Sequence, residues 1–486
     1  MTASAAVRLG TACAFVALAA LPARSAAAPV PITTSSAEAR ELYLKGRDLV
    51  EKLRATDARA YFEQAAAKDP SFALAQVGLA NSAGSAKDFF AAVARAVALA
   101  DKASEPEKLV VCALDAGAKG EPARQQDCLT RLVAACPDDA RAQNLMGAFH
   151  FGRQDYEAAV AAYEKATALD ASFSQPYNQM GYAYRFLGRY DKAEQAFTKY
   201  IQLIPGDPNP YDSYAEFLMK RGRFDESIKS YQKALSIDPN FVASYIGIGN
   251  DRVFMGQPAE ARKSYEKLLA VARNDGERRQ AHFWTAMSYV HEGATDAALV
   301  EVQKMAAIDK AANDLVALAG ADALLGNILL EAGRLDEAAT RFRDRDLTID
   351  KADVAAQVKE AARRQALFDE ARVAIARRDL EAAKAKAAAY AASVAGPRIP
   401  FELRQSRELA GRIALAEKDW KTAAAALREA NQQDPRVLYL TALADQGRGD
   451  LTAAKQTASQ AADWNALSPT YGYVRGKAKE LFKTPN

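Results

Sequence analysis

Residues 174–207 read SQPYNQMGYAYRFLGRYDKAEQAFTKYIQLIPGD. Tyr177, Met180, Gly181 and Tyr184 recur at i, i+3, i+4 and i+7, which places them on one face of a helix. Gly188 predicts the end of that helix. Arg189, Tyr190 and Asp191 predict the turn, with Asp191 capping a second helix. Ala193, Phe197 and Tyr200 form the apolar face of the second helix, and Pro205 stops it. Gly181 and Ala193 fall where the two helices cross, and a larger side chain at either would push the backbones apart. Phe197 is left to fill the space between this helix pair and the next.

The block is one of four. Consecutive 34-residue blocks begin at Ala140, Ser174, Pro208 and Val242. Their eighth positions are Gly147, Gly181, Ala215 and Gly249; their twentieth are Ala159, Ala193, Ser227 and Ala261. The twenty-fourth are Tyr163, Phe197, Tyr231 and Tyr265. A fixed period of this length marks a stacked repeat architecture.

This small–large–small order resembles the tetratricopeptide repeat family, whose signature falls here on Gly181, Tyr184, Ala193, Phe197, Tyr200 and Pro205. Looser copies extend both ways. Gly46, Ala58, Phe62, Ala65 and Pro70 mark one near the start; Gly326, Gly333, Ala338 and Phe342 mark another; Gly411, Ala423, Leu427, Ala430 and Pro435 a third. The resemblance implies an all-α fold, a right-handed superhelical solenoid of about twelve helix pairs. The expected organisation is a signal peptide over 1–27, an N-terminal array over 36–273, divergent helical repeats over 277–395 and C-terminal repeats over 400–486. Asn274-Asp275-Gly276 reads as a polar insertion, and Gly396-Pro397 and Pro400 as a break. A final helix over 470–482 has Val474, Ala478 and Leu481 on its apolar stripe, with Arg475, Lys477, Lys479 and Glu480 facing outward as a terminal cap.

The composition agrees with a helical, soluble chain. Half of the 486 residues are hydrophobic but only 8% are aromatic, and alanine, the best helix former, supplies much of the difference. The 64 Lys and Arg nearly balance the 61 Asp and Glu, with no long block of one sign, so nucleic acid is not an expected partner. Arg8, the apolar stretch Leu9 to Leu21 and the small residues Ala23 to Ala28 have the layout of a cleaved secretory signal, which predicts a periplasmic or secreted protein with no membrane span left after cleavage. Cys13 lies inside the apolar stretch, which argues against a lipid anchor. Cys128 and Cys136 are roughly 12 Å apart along one helix, too far to bond. Cys112 and Cys128 fall on facing sides of adjacent helices and can bond in an oxidising compartment, although small buried thiols are the simpler expectation.

No chemistry stands out. The three histidines, His150, His282 and His291, form no HExxH pattern, and no nucleophile elbow, phosphate loop or dinucleotide fingerprint occurs. The expectation is a protein without enzymatic activity, metal or cofactor. Asp138-Asp139 and Asp225-Glu226 read as helix-start acids. The tyrosines occupy packing slots.

The resemblance therefore points to partner binding. In this family the first helix of each pair lines the concave face. Its inward slots are here Arg141 and Asn144; Gln175, Asn178, Tyr182 and Arg185; Asn209, Asp212 and Glu216; and Asn250. This polar, amide-rich stripe is expected to lie exposed and to hold a peptide or protein as an adaptor of the bacterial cell envelope. The lysine of the carboxylate clamp used by some family members is missing, with Asn144, Asn178, Asp212 and Ile246 at its slot. A glycan or small ligand on an aromatic platform is the alternative. It is weakened by the wide sequence separation of Trp284, Trp420 and Trp464.

Overall fold

The computed structural model describes residues 29–396 and 399–481, so the expected signal peptide, Pro397 and Phe482 lie outside the described residues. Within them are twenty-five α-helices and no strand. The first six pairs are α1 (Ala37–Glu51) with α2 (Ala55–Lys68), α3 (Ala73–Asn81) with α4 (Ala86–Leu99), α5 (Glu105–Ala118) with α6 (Pro122–Ala135), α7 (Ala140–Gly152) with α8 (Tyr156–Leu169), α9 (Ser174–Phe186) with α10 (Tyr190–Leu203), and α11 (Asn209–Lys220) with α12 (Phe224–Ile237). The next six are α13 (Val242–Phe254) with α14 (Pro258–Val271), α15 (Asp275–Glu292) with α16 (Thr295–Ala311), α17 (Leu315–Glu331) with α18 (Leu335–Lys351), α19 (Ala356–Arg377) with α20 (Leu380–Ala395), α21 (Pro400–Ala416) with α22 (Trp420–Arg428), and α23 (Pro435–Gly447) with α24 (Leu451–Ala462). A single helix, α25 (Pro469–Glu480), ends the described chain.

The repeat signature has a direct steric cause. A Cβ on Gly181 would stand 2.6 Å from Cε1 of Phe197, and one on Gly249 would stand 2.2 Å from Cε1 of Tyr265. In these pairs the aromatic ring of the second helix thus lies against the backbone of the first, and glycine is what lets it approach. Ala193 and Ala261 are fully buried at the crossing. Ser227 takes the same slot because its hydroxyl donates to the Ala215 carbonyl at 2.8 Å, which satisfies it. Between the helices of a pair the chain passes through a left-handed residue, Gly188 at φ 72° and, in the preceding block, Gln154 at φ 61°.

Capping differs in one place from the sequence reading. Asp139 caps α7, accepting from the amides of Arg141 and Ala142. Asp191 does not cap α10: Arg189 holds the cap position, and Asp191 sits in the first turn, where its charge faces the positive end of the helix. Asn274 is a cap as well, accepting from the Glu277 amide, so the segment expected as an insertion starts α15.

Most first helices pack on the first helix of the next pair, as α1 on α3, α9 on α11 and α13 on α15. The first helices therefore form the inner layer of a curved all-α solenoid. The curvature brings distant pairs together. Thr56 donates to Glu277 at 3.2 Å, and Arg273 reaches Asp57 at 2.7 Å, so the first pair meets the start of the eighth.

Two expectations are corrected here. Cys112 and Cys128 are bonded rather than free thiols; their Cα atoms stand 6.1 Å apart across α5 and α6, within the range a disulfide spans. Cys136 is free and buried. The final helix is also more than an end cap. Val474 and Ala478 are buried as expected, but α25 turns back to pack on α15, α17 and α23. Arg475 does not face outward: it donates to the Phe254 carbonyl at 3.2 Å and lies over the Phe254 ring. No described helix is long and apolar enough to cross a membrane.

Candidate partner-binding face

The ten inward-slot residues lie on α7, α9, α11 and α13, the inner layer of the central repeats. Helical spacing puts slots two, five, nine and twelve on one stripe, and packing of successive inner helices brings the stripes into register. The side chains then meet each other. Asn144 donates to Gln175 at 3.0 Å. Glu216 accepts from the Tyr182 hydroxyl at 2.8 Å and from Arg185 at 2.7 Å. Arg185 lies between the rings of Tyr182 and Phe186, 4.9 Å and 4.8 Å from their centres. Asp212 accepts from the Ser244 hydroxyl at 2.7 Å.

The remaining residues turn away from this cluster. Arg141 makes a bidentate pair with Glu51 of α1 at 2.6 and 2.9 Å. Asn209 accepts from the buried Tyr200 hydroxyl and Asn250 from Tyr265, each at 2.8 Å. These two serve the packing aromatics rather than the groove. Asn178 is fully buried, and neither its side-chain oxygen nor its nitrogen has a partner.

The expectation of an exposed stripe is therefore corrected. The Arg185 side chain is only 9% exposed, while Glu216 beside it keeps 35%. Arg185 is covered by the Tyr182 and Phe186 rings and by Glu216, and on the next inner helix the returning C-terminal segment covers Lys220. Lys220 donates to the Trp464 carbonyl and sits 3.6 Å from the centre of its ring. Lys220 belongs to the same stripe as Asp212 and Glu216, at i, i+4 and i+8, a spacing that would have identified it. Nothing local in the sequence links it to Trp464, 244 residues away.

Burial sets the electrostatics. It raises Asp212 to about 7 and Asp251 to about 8, and lowers Lys220 to about 7. For Asp251 the raised value means that the folded state holds a proton that the unfolded chain has released from about pH 4 upward. Stability therefore falls as pH rises from about 4 to about 8 through this group. Asp251→Asn is expected to match the wild type near pH 4 and to exceed it at pH 8, read as urea midpoints. An equal difference at both pH values would show that the carboxylate is solvated.

Comparison with known families agrees with this geometry. Models of the tetratricopeptide repeat match residues 140–173, 174–207 and 246–315, and a further TPR repeat model matches 217–250. Residues 140–207 and 217–315 are thus tetratricopeptide repeats. None of these matches is to a catalytic family. No curated protein matches the chain. Among solved structures, a crystal structure of MamA is similar at 22% identity, over 35% of this chain and 96% of that one, with a TM-score of 0.29. A tetratricopeptide repeat protein from Parabacteroides merdae is similar at 16% identity, over 56% and 94%, with a TM-score of 0.36. MamA from Desulfovibrio magneticus is similar at 17%, over 35% and 95%, with a TM-score of 0.30.

Proposed function

We propose that this protein is an adaptor of the bacterial cell envelope that binds a peptide or protein partner on the inner face of its central repeats. The observation that carries the reading is the matched repeat array itself, with a polar, amide-rich stripe on its inner layer. Amide side chains offer a donor and an acceptor to an extended backbone. The Cys112–Cys128 bond supports the envelope part of the proposal, because disulfides persist in oxidising compartments. Processing between Ala26 and Pro29, read by N-terminal sequencing of the envelope fraction, belongs to the same proposal; recovery of Met1 would contradict it.

Asn144 and Gln175 provide the cleanest test. They bond each other across neighbouring inner helices, Asn144 buried and Gln175 partly exposed. Replacing both partners of one hydrogen bond leaves neither a donor nor an acceptor of that bond unpaired, which limits the cost to folding. Asn144→Ala with Gln175→Ala is expected to keep helicity and to weaken a partner captured from envelope extract by at least about tenfold, or about 1.4 kcal/mol. Undiminished affinity in the folded variant would place the partner elsewhere.

A further inference from the structure

A second polar site lies in the C-terminal repeats, apart from the central stripe. The inner helices α17, α19, α21 and α23 and the returning α25 enclose a cavity of about 240 Å³. That is below the range of about 300–1,000 Å³ typical of drug-sized ligands, and it suits a compact metabolite rather than a peptide segment.

Its lining is dominated by three arginines held in place by neighbours. Arg412 binds Glu408 at 2.8 Å through Nε, and Arg436 pairs with Glu331. Arg372 donates to Asp369 at 2.9 Å and to Asn327 at 2.7 Å. Fixed guanidiniums of this kind are pre-organised for carboxylate or phosphate oxygens.

Two donors of the lining residues lack an acceptor. Nε of Arg372 and the Tyr473 hydroxyl are both buried, and neither has a hydrogen-bond partner. Buried donors are rarely left unmet, so each calls for an occupant oxygen. Arg372 is already paired with Asp369. Burial, together with Arg412 and Arg436 nearby, pulls that guanidinium below its usual value despite Asp369. Asp434, which lines the cavity together with Glu331 and Glu408, is pushed up by burial and by Glu408. Phe368 is buried, and Phe401 is 47% exposed, which gives the lining an apolar component.

We propose that this cavity binds a small organic oxyanion, a carboxylate or phosphate on a compact apolar body, with its oxygens meeting Arg372 and Tyr473. The site is independent of partner binding on the central stripe.

The test is calorimetry on the mature full-length chain at constant ionic strength, with benzoate, succinate and phenyl phosphate as probes and benzamide as the neutral control. One anion is expected to bind at one site with Kd of about 1 mM or tighter, and benzamide at least about tenfold more weakly. The anion that binds distinguishes a carboxylate site from a phosphate site. Tyr473→Phe removes only the unpartnered hydroxyl, so folding should be unchanged, and affinity should fall at least about tenfold, or about 1.4 kcal/mol. Arg372→Gln should abolish binding, and the Tyr473→Phe result stands even if that variant misfolds. Failure of every anion to bind, equal binding of benzamide, or unchanged affinity in Tyr473→Phe would each overturn the proposal.

Discussion

Phe197→Ala is expected to cost about 3–5 kcal/mol, the range for removing a fully buried aromatic side chain. Phe197 has no exposure, lies against the Gly181 backbone and meets the Tyr182 ring edge-on at 5.2 Å and the Phe217 ring at 5.7 Å. The cavity left behind cannot collapse easily, because its walls are main chain and two further rings. In an ideal repeat array the damage would stay with the neighbouring repeats. Here α11 carries both Phe217, which packs on Phe197, and Lys220, which holds Trp464. Hydrogen exchange is therefore expected to show lost protection over residues 156–220 and, separately, over 463–481, with the first three helix pairs retaining theirs. Intact protection over 463–481 would show that the C-terminal segment docks independently of the central repeats.

The double variant Tyr182→Ala with Arg185→Ala is expected to lose at least about 3 kcal/mol. A stripe open to solvent would have made the same change nearly neutral. Tyr182 packs on Phe197, and Arg185 is buried between Tyr182 and Phe186. Both donate to Glu216. The partner left behind is not the main cost, since Glu216 keeps enough exposure to rehydrate; lost aromatic and guanidinium packing is. Urea midpoints and exchange over residues 174–220 would show the loss. An unchanged midpoint would mean that the stripe opens to water in solution. A binding defect in this variant would report a damaged groove as much as a missing contact, so Asn144 and Gln175 are the better positions for testing a partner.

The helix pairs were readable because each repeat slot has a local cause. A ring that lies on the backbone needs glycine or another small residue sixteen positions before it, as with Gly181 and Phe197, and that constraint recurs every 34 residues. Which residues share a stripe was readable too, since helical spacing decides it; that the stripe belongs to the inner layer was what the family resemblance implied. Exposure was not. Periodicity tells which face a residue occupies but not whether that face meets water. Asn178 and Gln175 sit three residues apart on one stripe, yet Asn178 is fully buried and Gln175 only partly so.

The sequence by itself thus determined an all-α array of paired helices, its crossing points, and the polar character of its inner layer. Tertiary structure alone decided that Lys220 meets Trp464, that Arg273 meets Asp57, and that Arg372 and Tyr473 share one cavity. The physical reason is accumulation. Each pair adds a small rotation to the stack, no single repeat encodes the sum, and only the summed curvature brings residues hundreds of positions apart into contact.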